Sequence, residues 1–136
     1  MTGERRVPGV LVTHGRLGLE LLRTAESILG PQPAMQVVSN SGKSPEGLQA
    51  EIEALLPPSG PVVVLVDLLG GSCGHACALV RRGRPDLLLA GGVNLPMLLE
   101  FLCHRGSASP GDLRERLLTR GRDGIRLLGW AEEEPA

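Results

Sequence analysis

A chain of 136 residues can bury one core, and 42% hydrophobic residues is the ordinary share for a globular domain. A formal charge of −1 leaves no polyanion footprint, and Phe101 and Trp130 as the only aromatics leave no stacking platform, so nucleic acid is excluded as a partner. No apolar run reaches membrane-spanning length and Met1–Pro8 lacks the apolar stretch of a signal peptide, which predicts a cytoplasmic protein without direct membrane insertion.

In chain order, Val10–Thr13 is an apolar run of the kind a buried strand shows, stopped by His14 and Gly15. Leu17, Leu21, Ala25 and Ile28 then recur at helical spacing, and Gly30-Pro31 stops that helix. Met35–Val38 reads as a second strand, followed by the polar loop Ser39–Lys43. Ser44 caps a helix with Pro45 at its first position and Leu48, Ile52 and Leu55 along one face. Pro57–Gly60 breaks the chain before Val62–Val66, a β-branched run that predicts a strand buried on both faces. It ends in Asp67, and the turn Leu68–Ser72 leads into a helix from about Gly74 to Arg82. Leu87–Ala90 is a fourth strand. Asn94 caps a helix with Pro96 in its first turn and Met97, Phe101 and Leu102 inward. Ser109-Pro110-Gly111-Asp112 starts a last helix carrying Leu113 and Leu117, and Gly124–Leu128 reads as a last short strand. The domain spans 1–130, with 131–136 as an acidic tail.

Strands joined by helical crossovers predict an α/β fold: a doubly wound, mainly parallel sheet with helices on both faces. In the order 2-1-3-4 the sheet reverses between its first and third strands, and His14 and Asp67 meet across that crevice. A neutral imidazole is a nucleophile once a partner fixes which nitrogen holds the proton, and Asp67 is the candidate to do so. Gly70, Gly71 and Ser72 at a helix start offer amides, a hydroxyl and the favourable end of a helix dipole to phosphate oxygens, and the Thr13 hydroxyl adds one more donor. The reading is a phosphoryl group carried on His14.

Thr13-His14-Gly15, Val66-Asp67 with Gly70-Gly71-Ser72, and Gly92–Leu98 resemble the mannose-family enzyme IIA domain of the bacterial sugar phosphotransferase system, in order and spacing over roughly residues 8–128. The resemblance implies the 2-1-3-4 sheet with a further antiparallel edge strand, in a homodimer. It implies that His14 accepts phosphate from the phosphocarrier protein HPr and passes it to a cysteine or histidine of enzyme IIB. Asp67 would orient the histidine, Ser72 and the Gly70 and Gly71 amides would lie by the phosphate, and Asn94, Pro96 and Met97 would build the loop beside it. Transfer from protein to protein implies no dissociable cofactor.

The chain also departs from that pattern. Arg16 stands where an aromatic residue is common, as a possible partner contact or a solvated surface arginine, and Cys73 stands where proline or threonine is usual. Leu68 and Leu69 replace polar or bulky aromatic residues. Cys73, His75 and Cys77 superficially suggest zinc, but on a helix His75 points away from the two thiols, so no metal is expected there and the three cysteines read as reduced thiols. Two other roles fit the same residues: a regulatory module switched by the phosphorylation state of His14, and the phosphotransferase subunit of a dihydroxyacetone kinase.

Overall fold

The computed structural model describes residues 6–131, so the acidic segment 132–136 lies outside the described residues. Four strands, β1 (Gly9–Thr13), β2 (Met35–Ser39), β3 (Val62–Val66) and β4 (Leu87–Gly91), alternate with α1 (Leu17–Leu29), α2 (Pro45–Leu55), α3 (Ser72–Arg82), α4 (Leu95–His104) and α5 (Pro110–Asp123). The sheet order is β2-β1-β3-β4, and every neighbouring pair is parallel. Val12 sits opposite Val66, so the chain leaves β1 and β3 side by side at the same sheet edge.

Strand residues alternate between two cores because successive side chains point to opposite faces. Val10, Val12, Val62, Val64 and Val66 pack with Leu48 and Ile52 of α2 and with Cys73, Ala76, Cys77 and Val80 of α3. Leu11, Val63 and Leu65 face the other way, against Ala25 of α1, Met97, Leu98 and Phe101 of α4, and Leu113 and Leu117 of α5. Each such valine or leucine contributes roughly 1.5–3 kcal/mol by leaving water. Ser44, Asn94 and Ser109 all cap their helices, accepting from the amides of Gly47, Met97 and Asp112, and proline stands in the first turn each time. Each cap stabilises by about 1 kcal/mol.

Three local expectations need correction. α3 starts at Ser72 rather than near Gly74, since extended Gly71 takes the cap position. The buried face of α1 is Gly18 and Ala25, while Leu17 and Ile28 are exposed. The cause is Thr13, whose hydroxyl accepts from the Gly18 amide at 2.6 Å and pulls that residue in so tightly that a Cβ there would lie 2.9 Å from Thr13 Oγ1. Gly124–Leu128 forms no strand: α5 runs on through Asp123, and Ile125, Leu127 and Leu128 stay exposed. A strand needs a free ladder beside it, and Gly124 is held instead against Pro96 of α4, where a Cβ would come within 2.5 Å of that ring. Among the described residues, β2 and β4 remain the sheet edges.

Candidate functional site

His14 is the first residue past β1, where the chain must turn. Gly15 makes the turn with φ +56, a left-handed conformation that costs glycine little, and its amide donates to Asn40 Oδ1 at 3.1 Å. The imidazole therefore sits on a stretch pinned by β1, by the loop after β2 and by the start of α1.

Asp67 reaches it from the end of β3. Its Oδ2 accepts from the His14 backbone amide at 2.9 Å and stands 2.9 Å from the ring Nδ1, while Oδ1 accepts from the Leu68 amide at 2.8 Å. The carboxylate is 10% exposed and the imidazole 41%. Burial pushes the Asp67 carboxyl up, but the His14 amide, the His14 ring and the Leu68 amide outweigh it and hold the group below the ordinary carboxylate range. An ionised carboxylate only accepts, so in its neutral form the ring carries its proton on Nδ1 and leaves Nε2 with its lone pair.

Nε2 faces the turn into α3. Ser72 Oγ lies 3.4 Å from it, and a Cβ on Gly71 would lie 3.2 Å from His14 Cε1, so any larger residue there would press on the ring. Gly74 is far more constrained, because a Cβ there would meet the Leu69 carbonyl oxygen at 2.0 Å. The first-turn amides of α3 have no intrahelical acceptors and no side-chain cap, and this end of the helix carries the positive end of the helix dipole. The arrangement is a half-exposed imidazole braced by a carboxylate on one side and facing the turn into a helix on the other.

Other residues singled out from the sequence lie around this centre with different contacts. Thr13 is fully buried, with its hydroxyl committed to Gly18. Gly70 is exposed within the turn. Asn94 caps α4 and donates to the Gly121 carbonyl of α5 at 2.9 Å. Pro96 and Met97 pack on Gly124 and Gly121, while the adjoining Val93 amide donates to the Val66 carbonyl and ties this loop to the end of β3. Arg16 is exposed and paired with Glu20 at 3.1 Å on its own helix, a contact of little energetic weight. One contributor escaped the sequence reading, and a second was singled out without its contact to His14. Asn40 holds Gly15, which its place in a polar loop did not reveal, and Cys73 lies fully buried with its Sγ within 4.8 Å of a His14 ring nitrogen. Burial and the Asp67 charge push the Cys73 thiol up, and burial drives Cys77 up to about 12. Cys103 is exposed.

Residues 9–118 match the family EIIA-man, described as PTS system fructose IIA component. The chain is 32% identical over 125 residues to the PTS system mannose-specific EIIAB component of Escherichia coli (strain K12), covering 88% of this chain and 38% of that protein's length. Its fold is that of the phosphotransferase system component EIIA from Streptococcus agalactiae, with a TM-score of 0.83 and 24% identity over 88% of this chain and 95% of the other. The mannose/sorbose specific IIA subunit from Enterococcus faecalis superposes with a TM-score of 0.74 at 24% identity, covering 95% and 99%. No helix among the described residues is long and apolar enough to cross a membrane. With its family match running from β1 into α5, the chain belongs to the EIIA-man family of phosphotransferase system IIA components.

Proposed function

We propose that this chain is a cytoplasmic phosphoryl carrier that accepts phosphate from phospho-HPr on His14 and passes it to an enzyme IIB protein. One observation carries the reading: Asp67 Oδ2 stands 2.9 Å from Nδ1 while Nε2 opens onto the glycine turn and Ser72. In the transfer, the Nε2 lone pair attacks phosphorus in line as the bond to the donor breaks on the far side. Asp67 keeps accepting from Nδ1–H and offsets the positive charge that builds on the ring. The Gly71–Ser72 turn and the Ser72 hydroxyl face the equatorial oxygens, so that catalysis is positioning and charge stabilisation. The second transfer reverses these steps toward a new acceptor.

A homodimer belongs to the same reading. Ile125, Leu127, Leu128 and Trp130 are exposed in the single chain, a largely apolar groove is lined by Leu88, Leu89, Met97, Leu117 and Leu118, and a second copy would cover such surface.

Incubation with enzyme I, HPr and phosphoenolpyruvate, followed by mass spectrometry under alkaline handling, tests the carrier role. The wild-type chain gains one phosphoryl group and His14→Ala gains none. Phosphate found at His75 or His104 overturns the assignment.

A further inference from the structure

We infer that His14, Asp67 and Cys73 form a binding site for a thiophilic divalent cation of the zinc class, and that filling it shuts off phosphoryl uptake at His14. A ring nitrogen of His14, a carboxylate oxygen of Asp67 and the Sγ of Cys73 all lie within 4.8 Å of one another. They come from the end of β1, the end of β3 and the first turn of α3, so the sheet and the helix converge on a single point. This is not the set of alternating residues on α3: His75 is exposed on that helix while Cys73 and Cys77 are buried.

The donor set selects the ion. A thiolate beside an imidazole and a carboxylate suits zinc or cadmium, whereas magnesium and calcium favour oxygen alone. Tetrahedral zinc places its ligand atoms about 3.3–3.8 Å apart, so separations near the 4.8 Å limit close by on the order of 1 Å around an ion, whereas Nδ1 and Asp67 Oδ2, 2.9 Å apart, open slightly if the ion takes that nitrogen. The half-exposed side of the imidazole leaves the fourth position to water. The Leu68 amide already fixes the second oxygen of Asp67, as an outer partner does in a metal site. On binding, the Cys73 thiol gives one proton to solvent and its sulfur forms the bond to the ion.

Blockade follows whichever nitrogen the ion takes. On Nε2 it occupies the lone pair that would attack phosphorus. On Nδ1 it replaces the hydrogen bond to Asp67 and sends the ring proton to Nε2, with the same result. This consequence rests on the carrier reading, but the binding does not.

The test uses the reduced chain carrying Cys103→Ser, which removes the exposed thiol, and cadmium ion alone as the probe. One equivalent of cadmium is expected to raise the ultraviolet thiolate-to-cadmium absorption, and Cys73→Ala to abolish it. His14→Gln, at a half-exposed position, and Asp67→Asn are each expected to weaken binding about tenfold or more. No absorption in the parent chain overturns the site, as does absorption that survives Cys73→Ala or an affinity indifferent to both ligand variants. For the consequence, preformed phospho-HPr serves as donor with zinc ion as inhibitor. One equivalent of zinc is expected to suppress uptake in the parent chain and leave Cys73→Ala unaffected. Full uptake by the zinc-loaded chain overturns the blockade. Metal-free chain that binds cadmium but takes no phosphate overturns the carrier reading and leaves the metal site standing.

Discussion

At the amino-terminal end of the sheet, Arg105 is 1% exposed, and its guanidinium donates to the carbonyls of Val7, Pro33 and Ala34 and to Gln32 Oε1 at 2.6–3.4 Å. At the carboxyl end, His14 is 41% exposed and leans on one carboxylate. Both are basic groups held by neighbours from several elements, yet their surroundings differ in kind. Among the described residues Arg105 meets carbonyls rather than a counter-charge, and it lies 5.7 Å from the centroid of Phe101, with burial and nearby Arg6 lowering its pKa to about 10. It remains a cation at neutral pH and ties the entries of β1 and β2 to the end of α4. His14 has one nitrogen tied and one free. A base enclosed on every side serves the fold, while a base braced on one side and open on the other is available for chemistry.

Substitutions at the two ends should therefore fail differently. Arg105→Ala removes a buried side chain and the donors to the carbonyls of Val7, Pro33 and Ala34, and is expected to cost about 3 kcal/mol of stability by denaturant unfolding, with phosphoryl uptake per folded molecule unchanged. A large uptake defect in the folded fraction would break the contrast. Asp67→Ala is expected to slow uptake about a hundredfold with a much smaller loss of stability, read by quench-flow with phospho-HPr. Gly71→Ala puts a methyl 3.2 Å from His14 Cε1 and should tilt the ring, slowing uptake about tenfold while the melting temperature barely moves.

The smallest effect is in acid. Because the folded carboxyl of Asp67 titrates below its ordinary 3.8, its stabilisation is complete above that value and is lost as pH falls through the folded pKa. The stability gap between wild type and Asp67→Asn should therefore narrow below pH 3.8. A gap that widens there contradicts the pairing.

Much of this was legible in the chain. The β-branched run Val62–Val66, the three Ser or Asn caps followed by proline, and the strand-helix alternation dictate a parallel sheet whose reversal puts His14 beside Asp67. What escaped depended on contacts across the fold. Arg105, in the run Cys103-His104-Arg105-Gly106, resembles any surface arginine, since its acceptors lie about 70 to 100 residues away in sequence. Thr13 was read by its neighbour His14, but in a strand adjacent side chains point to opposite faces, and its hydroxyl turned inward to Gly18. Ile125 and Leu127 alternate as a strand does, yet alternation cannot reveal whether a ladder waits beside it. Cys73 stood out in the sequence as a departure after the glycine turn and as one of three alternating residues on α3, but its nearness to His14 follows from where α3 begins.

One oxygen of Asp67 grips both the main-chain amide and the ring of His14. The acceptor is thus bolted to the sheet and cannot swing between one visitor and the next. For a carrier, this makes donor and recipient take turns on a common landing site and bring phosphorus along a single line, so the two cannot be seated together. The choreography of delivery and collection then lies with the visitors, while this molecule supplies a stationary post.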